Sequence, residues 1–218
     1  MNKITLIVTS WNPNEALLNK MLQSAKGFDE VVLHIDSETE KYPHVDVLAM
    51  HDPLRLETYD QHLGVGDAYN LLINRTSTEW VCCMCDDDYF DAEGLAKAIA
   101  LLDTTSEDVI HFPVHVFGDC APHVWGANHV TKESLERNNR IPAASFFRKT
   151  AWEKAGGFKG DIYHDWVLWL RMLKAGCTFK YLDSCVYHFQ LRQNSAAIRQ
   201  QKDLKEDPRS NVLRFANA

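Results

Sequence analysis

An apolar strand that ends in three carboxylates is the feature of this sequence that most restricts its fold. Residues 80–85 read Trp-Val-Cys-Cys-Met-Cys, and Asp86, Asp87 and Asp88 follow directly. A short apolar run bounded by turn residues is typical of a buried strand, and Asp91 then offers a cap for a helix. Ligands of open α/β sheets bind at the carboxyl ends of the strands. These acids therefore predict a site at one edge of such a sheet.

The charge of the three acids indicates what this site binds. Adjacent carboxylates repel one another unless a cation is present. Hard divalent cations prefer oxygen ligands, and proteins often hold Mg²⁺ with one or two carboxylates together with substrate phosphates. The simplest interpretation is a site for a metal ion and a diphosphate. A solvated acidic turn is the alternative, because Asp is common in turns.

Strand-like and helix-like segments alternate through the first half of the chain. Predicted strands cover residues 3–9, 30–36, 45–50, 80–85 and 108–116. Predicted helices begin at Asn12, which would cap the first of them, at Gly64 and at Asp91. This alternation predicts an α/β fold, a mostly parallel sheet with helices on both faces. An irregular stretch over 118–140 follows, then a strand at 144–147, helices at 149–155 and 163–174, and a last strand at 178–186.

Composition and charge narrow the class of protein. The 218 residues are 45% hydrophobic and 24% charged, which suits one globular domain. The net charge of -7 argues against general nucleic-acid binding. Because the sequence has neither a signal-peptide pattern nor an apolar segment of membrane-spanning length, we expect a cytoplasmic protein. The six cysteines are expected to be reduced and mostly buried rather than metal ligands.

A series of short motifs runs from the first strand almost to the tail. They are Ile7–Asn12, Val31–Asp36, Cys85–Asp88, Gly156–Phe158, His164–Arg171, Gly176 and Tyr187–Ser195. In this order and spacing they resemble a family 2 glycosyltransferase of the GT-A fold over about residues 3–195. The resemblance implies one GT-A domain over 1–218, with a donor-binding half over about 1–117, an acceptor-side half over about 118–195 and a tail over 196–218.

The same resemblance implies an inverting sugar transfer from a nucleotide diphosphate sugar, with a UDP-sugar as the expected donor. The turn after the first strand would line the nucleotide pocket, Asp36 would contact the base, and Arg192 would add positive charge at the diphosphate. Tyr69 stands where the family often has a basic residue before Asn70. The residues expected to contact the donor are Thr9, Ser10, Trp11, Asn12, Asp36, Asn70, Asp86 and Arg192.

The metal motif of the family is incomplete in this chain. Its D-x-D pattern falls on Cys85, Asp86 and Asp87, so the first acid is missing. Asp87 matches the residue that coordinates the cation, Mn²⁺ or Mg²⁺. The residues expected around this cation are Asp87, Asp88 and His188.

The catalytic base of the family lies in a Glu-Asp pair before a helix. Here the pair reads His164-Asp165, so Asp165 is the expected general base. Without the resemblance, Asp165 would be interpreted as a carboxylate stabilised by the dipole of the helix that it begins.

Two other functions stay open from the sequence. A non-catalytic module that binds nucleotide sugars or glycans would keep the fold, and the missing first acid favours it. A sugar-phosphate nucleotidyltransferase would normally have a Gly-rich, basic loop after the first strand, whereas residues 9–13 read Thr-Ser-Trp-Asn-Pro. The acceptor could be a glycan, a lipid-linked sugar, a protein, a small molecule or a hydroxylated nucleobase. Docking at a membrane surface also stays open.

Overall fold

The computed structural model describes residues 4–43, 54–160, 162–184, 186–193, 198, 202 and 206–218. Its strands are β1 (Ile4–Ser10), β2 (Glu30–Ile35), β3 (Leu54–Thr58), β4 (Trp80–Cys85), β5 (Tyr89–Phe90), β6 (Val109–His111), β7 (Val114–Gly118), β8 (His123–Trp125), β9 (Phe146–Arg148), β10 (Phe179–Tyr181) and β11 (Tyr187–Leu191). Its helices of six or more residues are α1 (Glu15–Ser24), α2 (Val65–Arg75), α3 (Ala92–Leu101), α4 (Lys132–Arg137), α5 (Lys149–Ala155), α6 (His164–Lys174) and α7 (Pro208–Asn217).

The larger sheet has seven strands in the order β10-β6-β9-β4-β1-β2-β3. Its strand pairs are parallel except for those of β9, which runs antiparallel to β4 and β6. All seven residues of β1 are buried, because helices cover both faces of the sheet. The predicted mostly parallel sheet with helices on both faces is confirmed.

The core forms one layer on each face of the larger sheet. Side chains along a strand point alternately to opposite faces, so Leu6 and Val8 pack on one side and Ile7 on the other. The first layer includes the apolar faces of α1 and α3. The second layer includes those of α2, α5 and α6.

A second sheet has the order β5-β11-β7-β8 and continues directly from the acids after β4. The sequence predicted one strand over 108–116, and this prediction is wrong. The chain leaves the larger sheet after His111 and enters the second sheet at Val114. Pro113 lies at the break, where it has no N–H to continue a ladder of hydrogen bonds. The predicted last strand over 178–186 is also too long, since β10 ends at Tyr181 and β11 follows it.

The first helix begins two residues later than predicted. Asn14, not Asn12, is its cap, and the Asn14 Oδ1 accepts hydrogen bonds from the backbone N–H groups of Ala16 and Leu17. Asn12 instead has a left-handed backbone with φ 49°. The stretch predicted as irregular, 118–140, contains β8 and α4.

Of two further predicted elements, one lies outside the described residues and one agrees with the structure. The strand predicted at 45–50 lies outside the described residues. Helix α5 ends at Gly156, which has φ 77°, as the glycine pair predicted. None of the helices in the described part of the chain is long and apolar enough to cross a membrane.

Candidate functional site

The carboxyl ends of β1, β2 and β4 lie side by side at one edge of the larger sheet. Thr9 pairs with Cys85 on one side of β1, and Ser10 pairs with Ile35 on the other. The Ser10 hydroxyl donates to Asp86 Oδ2 at 2.6 Å, which ties the end of β1 to the acids that follow β4. Three segments expected to contact a donor therefore meet at one edge.

Asp36 follows β2 at this edge and is only 6% exposed. The Nδ1–H of His62 donates to both carboxylate oxygens of Asp36, at 3.0 and 2.9 Å, and the Glu38 N–H donates to Oδ1 at 2.9 Å. The hydrogen bond to Asp36 raises the pKa of His62. The carboxylate of Asp36 is thus held in a fixed orientation by a histidine that the sequence analysis did not identify.

Asp36, Glu38 and His62 also form a group of potential metal ligands. Within the described residues it is the one set of three or more acidic, His or Cys side chains whose ligand atoms all lie within 4.8 Å. Each Asp36 oxygen already accepts a hydrogen bond from His62, so the simplest role of the group is to orient this carboxylate.

The turn after β1 lies at the same sheet edge as Asp36 and the acids after β4. Asn12 Oδ1 accepts from the backbone N–H groups of Glu40 and Lys41, at 2.6 and 3.1 Å, so this side chain fixes the loop after β2. Trp11 is 47% exposed and is the large aromatic side chain of this turn. Thr9 points inward, where its hydroxyl donates to Tyr69 Oη at 3.3 Å.

The three acids after β4, Asp86–Asp88, are called the acid turn below. Asp86 is buried, and burial raises its pKa to about 6 despite the hydrogen bond from Ser10. Asp87 forms an ion pair with Arg192, whose Nη2 lies 2.6 Å from Asp87 Oδ2. The predicted donor residues Asp86 and Arg192 are therefore brought together around Asp87.

Asp88 turns into the second sheet. Its Oδ2 accepts a hydrogen bond from the hydroxyl of Tyr187, and its Oδ1 accepts one from the Gln190 N–H at 2.8 Å. Burial, followed by repulsion from Asp87, raises the pKa of Asp88 well above its usual range. Both oxygens of Asp88 are engaged in joining the acid turn to β11.

His188 lies apart from the acid turn. It is next to Tyr187 on β11, and neighbouring side chains of a strand point to opposite faces. Its ring stacks on Tyr89 with the ring centroids 4.4 Å apart, and its Nδ1 lies 3.1 Å from the Nδ1 of His115. The three predicted metal ligands thus have different surroundings. The side chain of Asp88 is bonded to β11, and His188 is itself part of β11. Asp87 lies at the sheet edge and is not bonded to a strand of the second sheet.

Asp165 begins the first turn of α6, as predicted. Its Oδ2 accepts a hydrogen bond from Asn139 Nδ2 at 2.9 Å, a contact that sequence analysis did not identify. The ring of the preceding residue, His164, lies 5.8 Å from the ring of Tyr69. Tyr69 in turn donates its hydroxyl hydrogen to Met84 O at 3.1 Å, just before the acid turn. Tyr69 therefore links the residue before the predicted base to the end of β4.

Asn70 anchors a loop. Its Oδ1 accepts from Phe158 N–H at 2.8 Å and Trp152 Nε1–H at 3.2 Å, and its Nδ2 donates to Phe158 O at 3.0 Å. The side chain is thus used within the protein, to hold the segment after α5 against α2.

The family implies a divalent cation, and the acid turn offers it few oxygen ligands. Asp87 and the neighbouring Asp86 supply two carboxylates, and one or two carboxylates with substrate phosphates is a common set for Mg²⁺. The thiol of Cys85 is a soft ligand that suits neither Mg²⁺ nor Mn²⁺. The site therefore fits a cation held mainly by Asp87 and by phosphate oxygens.

A mostly parallel sheet with acids at its strand ends, and a second small sheet that continues from those acids, defines the GT-A fold. The sequence profile of Glycosyl transferase family 2 matches residues 5–160. The chain belongs to glycosyl transferase family 2, which confirms the resemblance found in the sequence. No curated protein matches the chain by sequence.

Solved structures of TarS from S. aureus share this fold. TarS 1–349 in complex with UDP-GlcNAc superposes with a TM-score of 0.77 and 17% identity, over 98% of this chain and 65% of that one. TarS 1–349 in complex with UDP gives a TM-score of 0.69 and 18% identity, over 88% of this chain and 61% of that one. The chain thus spans less than two thirds of these TarS chains. At this level of identity the likeness shows the fold alone.

Proposed function

We propose that this chain transfers a sugar from a nucleotide diphosphate sugar, a UDP-sugar, to an acceptor hydroxyl with inversion at the sugar. The observation that carries the proposal is the meeting of the ends of β1, β2 and β4 at one sheet edge, which brings Ser10, Asp36 and the acid turn together. The TarS structures with UDP-GlcNAc and UDP support a uridine nucleotide as the donor.

Asp36 is the proposed contact for the base of the nucleotide. Its carboxylate is buried and oriented by His62, so a donor N–H of the base would meet an acceptor already in position. Trp11 adds an exposed ring beside this pocket. Asn12 contributes by holding the loop after β2, and Asn70 by holding the loop after α5.

The diphosphate would lie against the acid turn. Asp87 would hold Mn²⁺ or Mg²⁺, which when bound supplies positive charge to the leaving diphosphate. Arg192 is the proposed second source of positive charge, because its guanidinium group already lies at Asp87. Ser10 keeps Asp86 oriented beside them.

Asp165 is the proposed general base. Asn139 binds its Oδ2, which fixes the carboxylate while the other oxygen accepts the proton of the acceptor hydroxyl. Inversion follows from direct attack by that hydroxyl on the face of the sugar opposite the diphosphate. The acceptor-side half proposed from the sequence, about 118–195, contains both Asn139 and Asp165.

The acceptor is a hydroxyl of a glycan, a lipid-linked sugar, a protein, a small molecule or a hydroxylated nucleobase. A cytoplasmic location suits the free cysteines at positions 82, 83, 85, 120 and 177, since a reducing compartment keeps thiols free.

A non-catalytic module that binds nucleotide sugars is the second candidate. It is favoured by one specific observation, which is that Cys85 replaces an acid of the D-x-D motif. Such a module would bind UDP but would show neither transfer nor hydrolysis of the donor.

The proposal is tested by calorimetric titration of UDP and GDP, each with and without Mn²⁺. We expect UDP to bind more tightly than GDP, and Mn²⁺ to strengthen UDP binding in the wild type but not in Asp87→Asn. Asp103→Asn is the matched control, because this exposed carboxylate follows α3 away from the acid turn. If UDP binds under no condition, the donor site is refuted. If UDP binds equally with and without Mn²⁺, only the metal dependence is refuted.

A further inference from the structure

The guanidinium group of Arg192 lies at the carboxylate where the family places its cation. Arg192 Nη2 is 2.6 Å from Asp87 Oδ2, and the Asp87 side chain is only 11% exposed. Arg192 also lowers the pKa of Asp86, although less than burial raises it. One positive charge is therefore already present at the carboxylate expected to hold the cation.

The position of Arg192 follows from the hydrogen bonds that join β11 to the acid turn. The buried carboxylate of Asp88 binds Tyr187 and Gln190, two residues of β11. Arg192 comes directly after the end of this strand. Because Asp87 and Asp88 are adjacent, the bonds that hold β11 on Asp88 place Arg192 beside Asp87.

A metal ion and Arg192 cannot both hold Asp87 Oδ2 in this arrangement. Mg²⁺ binds a carboxylate oxygen at about 2.0–2.1 Å. The guanidinium nitrogen at 2.6 Å from the same oxygen would then lie next to the ion. Two positive charges at such a distance repel each other, and the water around the half-exposed Arg192 reduces this repulsion without removing it. Since Cys85 offers no carboxylate in compensation, the ion gains little by binding beside Arg192.

We propose that Arg192 and the divalent cation compete for Asp87, so that Arg192 keeps the cation out of the nucleotide-free site. The negative charges of an entering diphosphate would draw Arg192 from Asp87, and Asp87 would then be available to hold the cation. The order of binding is thus set by the donor. The inference rests on the proposed function, because it assigns the diphosphate as the group that releases Arg192.

The test is a titration of Mn²⁺ into nucleotide-free protein, followed by the electron paramagnetic resonance signal of free Mn²⁺. Arg192→Met removes the charge and keeps much of the bulk of the side chain. We expect it to tighten Mn²⁺ binding up to about fivefold, as for the loss of a competing ion pair of ordinary strength. Arg192→Lys retains a charge and should stay within about twofold of the wild type.

Two controls make the result specific to Asp87. Arg192→Met combined with Asp87→Asn should lose the added affinity, since the contested carboxylate is gone. Arg214→Met removes an exposed arginine that pairs with Glu206 and should leave Mn²⁺ binding unchanged. Circular dichroism of each variant establishes that it is folded.

The competition is refuted if Arg192→Met binds Mn²⁺ no more tightly than the wild type, or if neither binds it. Because this titration contains no nucleotide, its failure is distinct from a failure of UDP to bind. With UDP present, the gain from Arg192→Met should shrink, because the diphosphate has already drawn the arginine away in the wild type. A gain of equal size with and without UDP would also contradict the proposal.

Discussion

Asp165 depends on one neighbour for the direction of its carboxylate. Asn139 donates to its Oδ2 at 2.9 Å, so an amide in place of the carboxylate keeps the size of the side chain but cannot accept a proton. We expect Asp165→Asn to lower kcat by about 10²- to 10⁴-fold, the usual contribution of a general base. The dissociation constant of UDP should change little, because Asp165 lies in the first turn of α6 and not at the ends of β1, β2 and β4. Single-turnover kinetics and calorimetry measure the two quantities.

Asn139→Ala distinguishes the orientation of the Asp165 carboxylate from its ability to accept a proton. It leaves the carboxylate of Asp165 in place but frees its orientation, so kcat should fall by less than in Asp165→Asn. If Asp165→Asn keeps the wild-type kcat, or if it loses UDP binding to the same degree as activity, Asp165 is not the base.

The sequence located the acids of the proposed site but not the residues that orient them. Asp36, Asp87 and Asp165 each follow a strand or begin a helix, and such boundaries can be predicted from local pattern. Their partners cannot, because contact across the fold has no local pattern. His62 and Asn139 each lie 26 positions from the carboxylate that they bind.

At the scale of elements, the local sequence pattern predicted the ends of strands and helices where burial or a capping residue fixes them. Strand β4 has the predicted bounds, and Asp91 caps α3 as expected. The local sequence does not distinguish Asn12 from Asn14 as the cap of α1, because asparagine is a favourable cap residue at either position. The loop after β2 decides it, because it takes the side chain of Asn12.

The second sheet is the element that the sequence did not predict. Its strands β5 and β8 have two and three residues, too short for a periodic pattern. Its position depends on Asp88, whose burial could not be inferred from a run of three acids. The hydrogen bonds that Asp88, a predicted metal ligand, accepts from Tyr187 and Gln190 of β11 could not be inferred from that run either.

The contact between the loop after α5 and helix α2 is expected to contribute to the stability of the protein. Gly157 has φ 75°, and a Cβ there would lie 2.8 Å from Asn70 Oδ1. Gly157→Ala must therefore strain the backbone and displace the side chain that anchors the loop. We expect it to lower the free energy of unfolding by about 1–3 kcal/mol, measured by urea denaturation.

Gly66→Ala is the matched control for this prediction. A Cβ at Gly66 would meet its nearest atoms at 3.6 Å, an ordinary contact, and Gly66 lies within α2. Because alanine favours a helix more than glycine does, this variant should be neutral or stabilising by up to about 1 kcal/mol. Equal losses in both variants would mean that neither strain nor Asn70 accounts for the effect.

At the scale of the whole molecule, buried histidines make the fold sensitive to acid. Burial lowers the pKa of His34, and it lowers the pKa of His164 against the attraction of Asp165. Burial also lowers the pKa of His111 to about 4. In each case the folded state binds a proton less readily than the unfolded chain, so stability falls as the pH drops below the ordinary histidine pKa.

His111→Phe tests this acid sensitivity at the buried histidine whose pKa falls to about 4. His111 is 2% exposed, its Nδ1 has no partner, and its ring lies 5.4 Å from that of Tyr181. A drop of the pKa from 6.5 to about 4 corresponds to a loss of about 3 kcal/mol that begins near pH 6.5 and is complete below pH 4. About 2 kcal/mol of it should be lost between pH 7 and pH 5.

The phenylalanine variant should lack this part of the acid loss, because its ring does not titrate. At pH 7 its stability should lie within about 1 kcal/mol of the wild type, since an apolar ring replaces a buried polar atom that has no partner. Urea denaturation at pH 7 and at pH 5 gives the comparison, with His129→Phe as the control at an exposed histidine. The two proteins should differ in stability far more at pH 5 than at pH 7. If the wild type and His111→Phe lose the same free energy between the two pH values, His111 is not protonated on unfolding in this range, and the acid sensitivity must come from other groups.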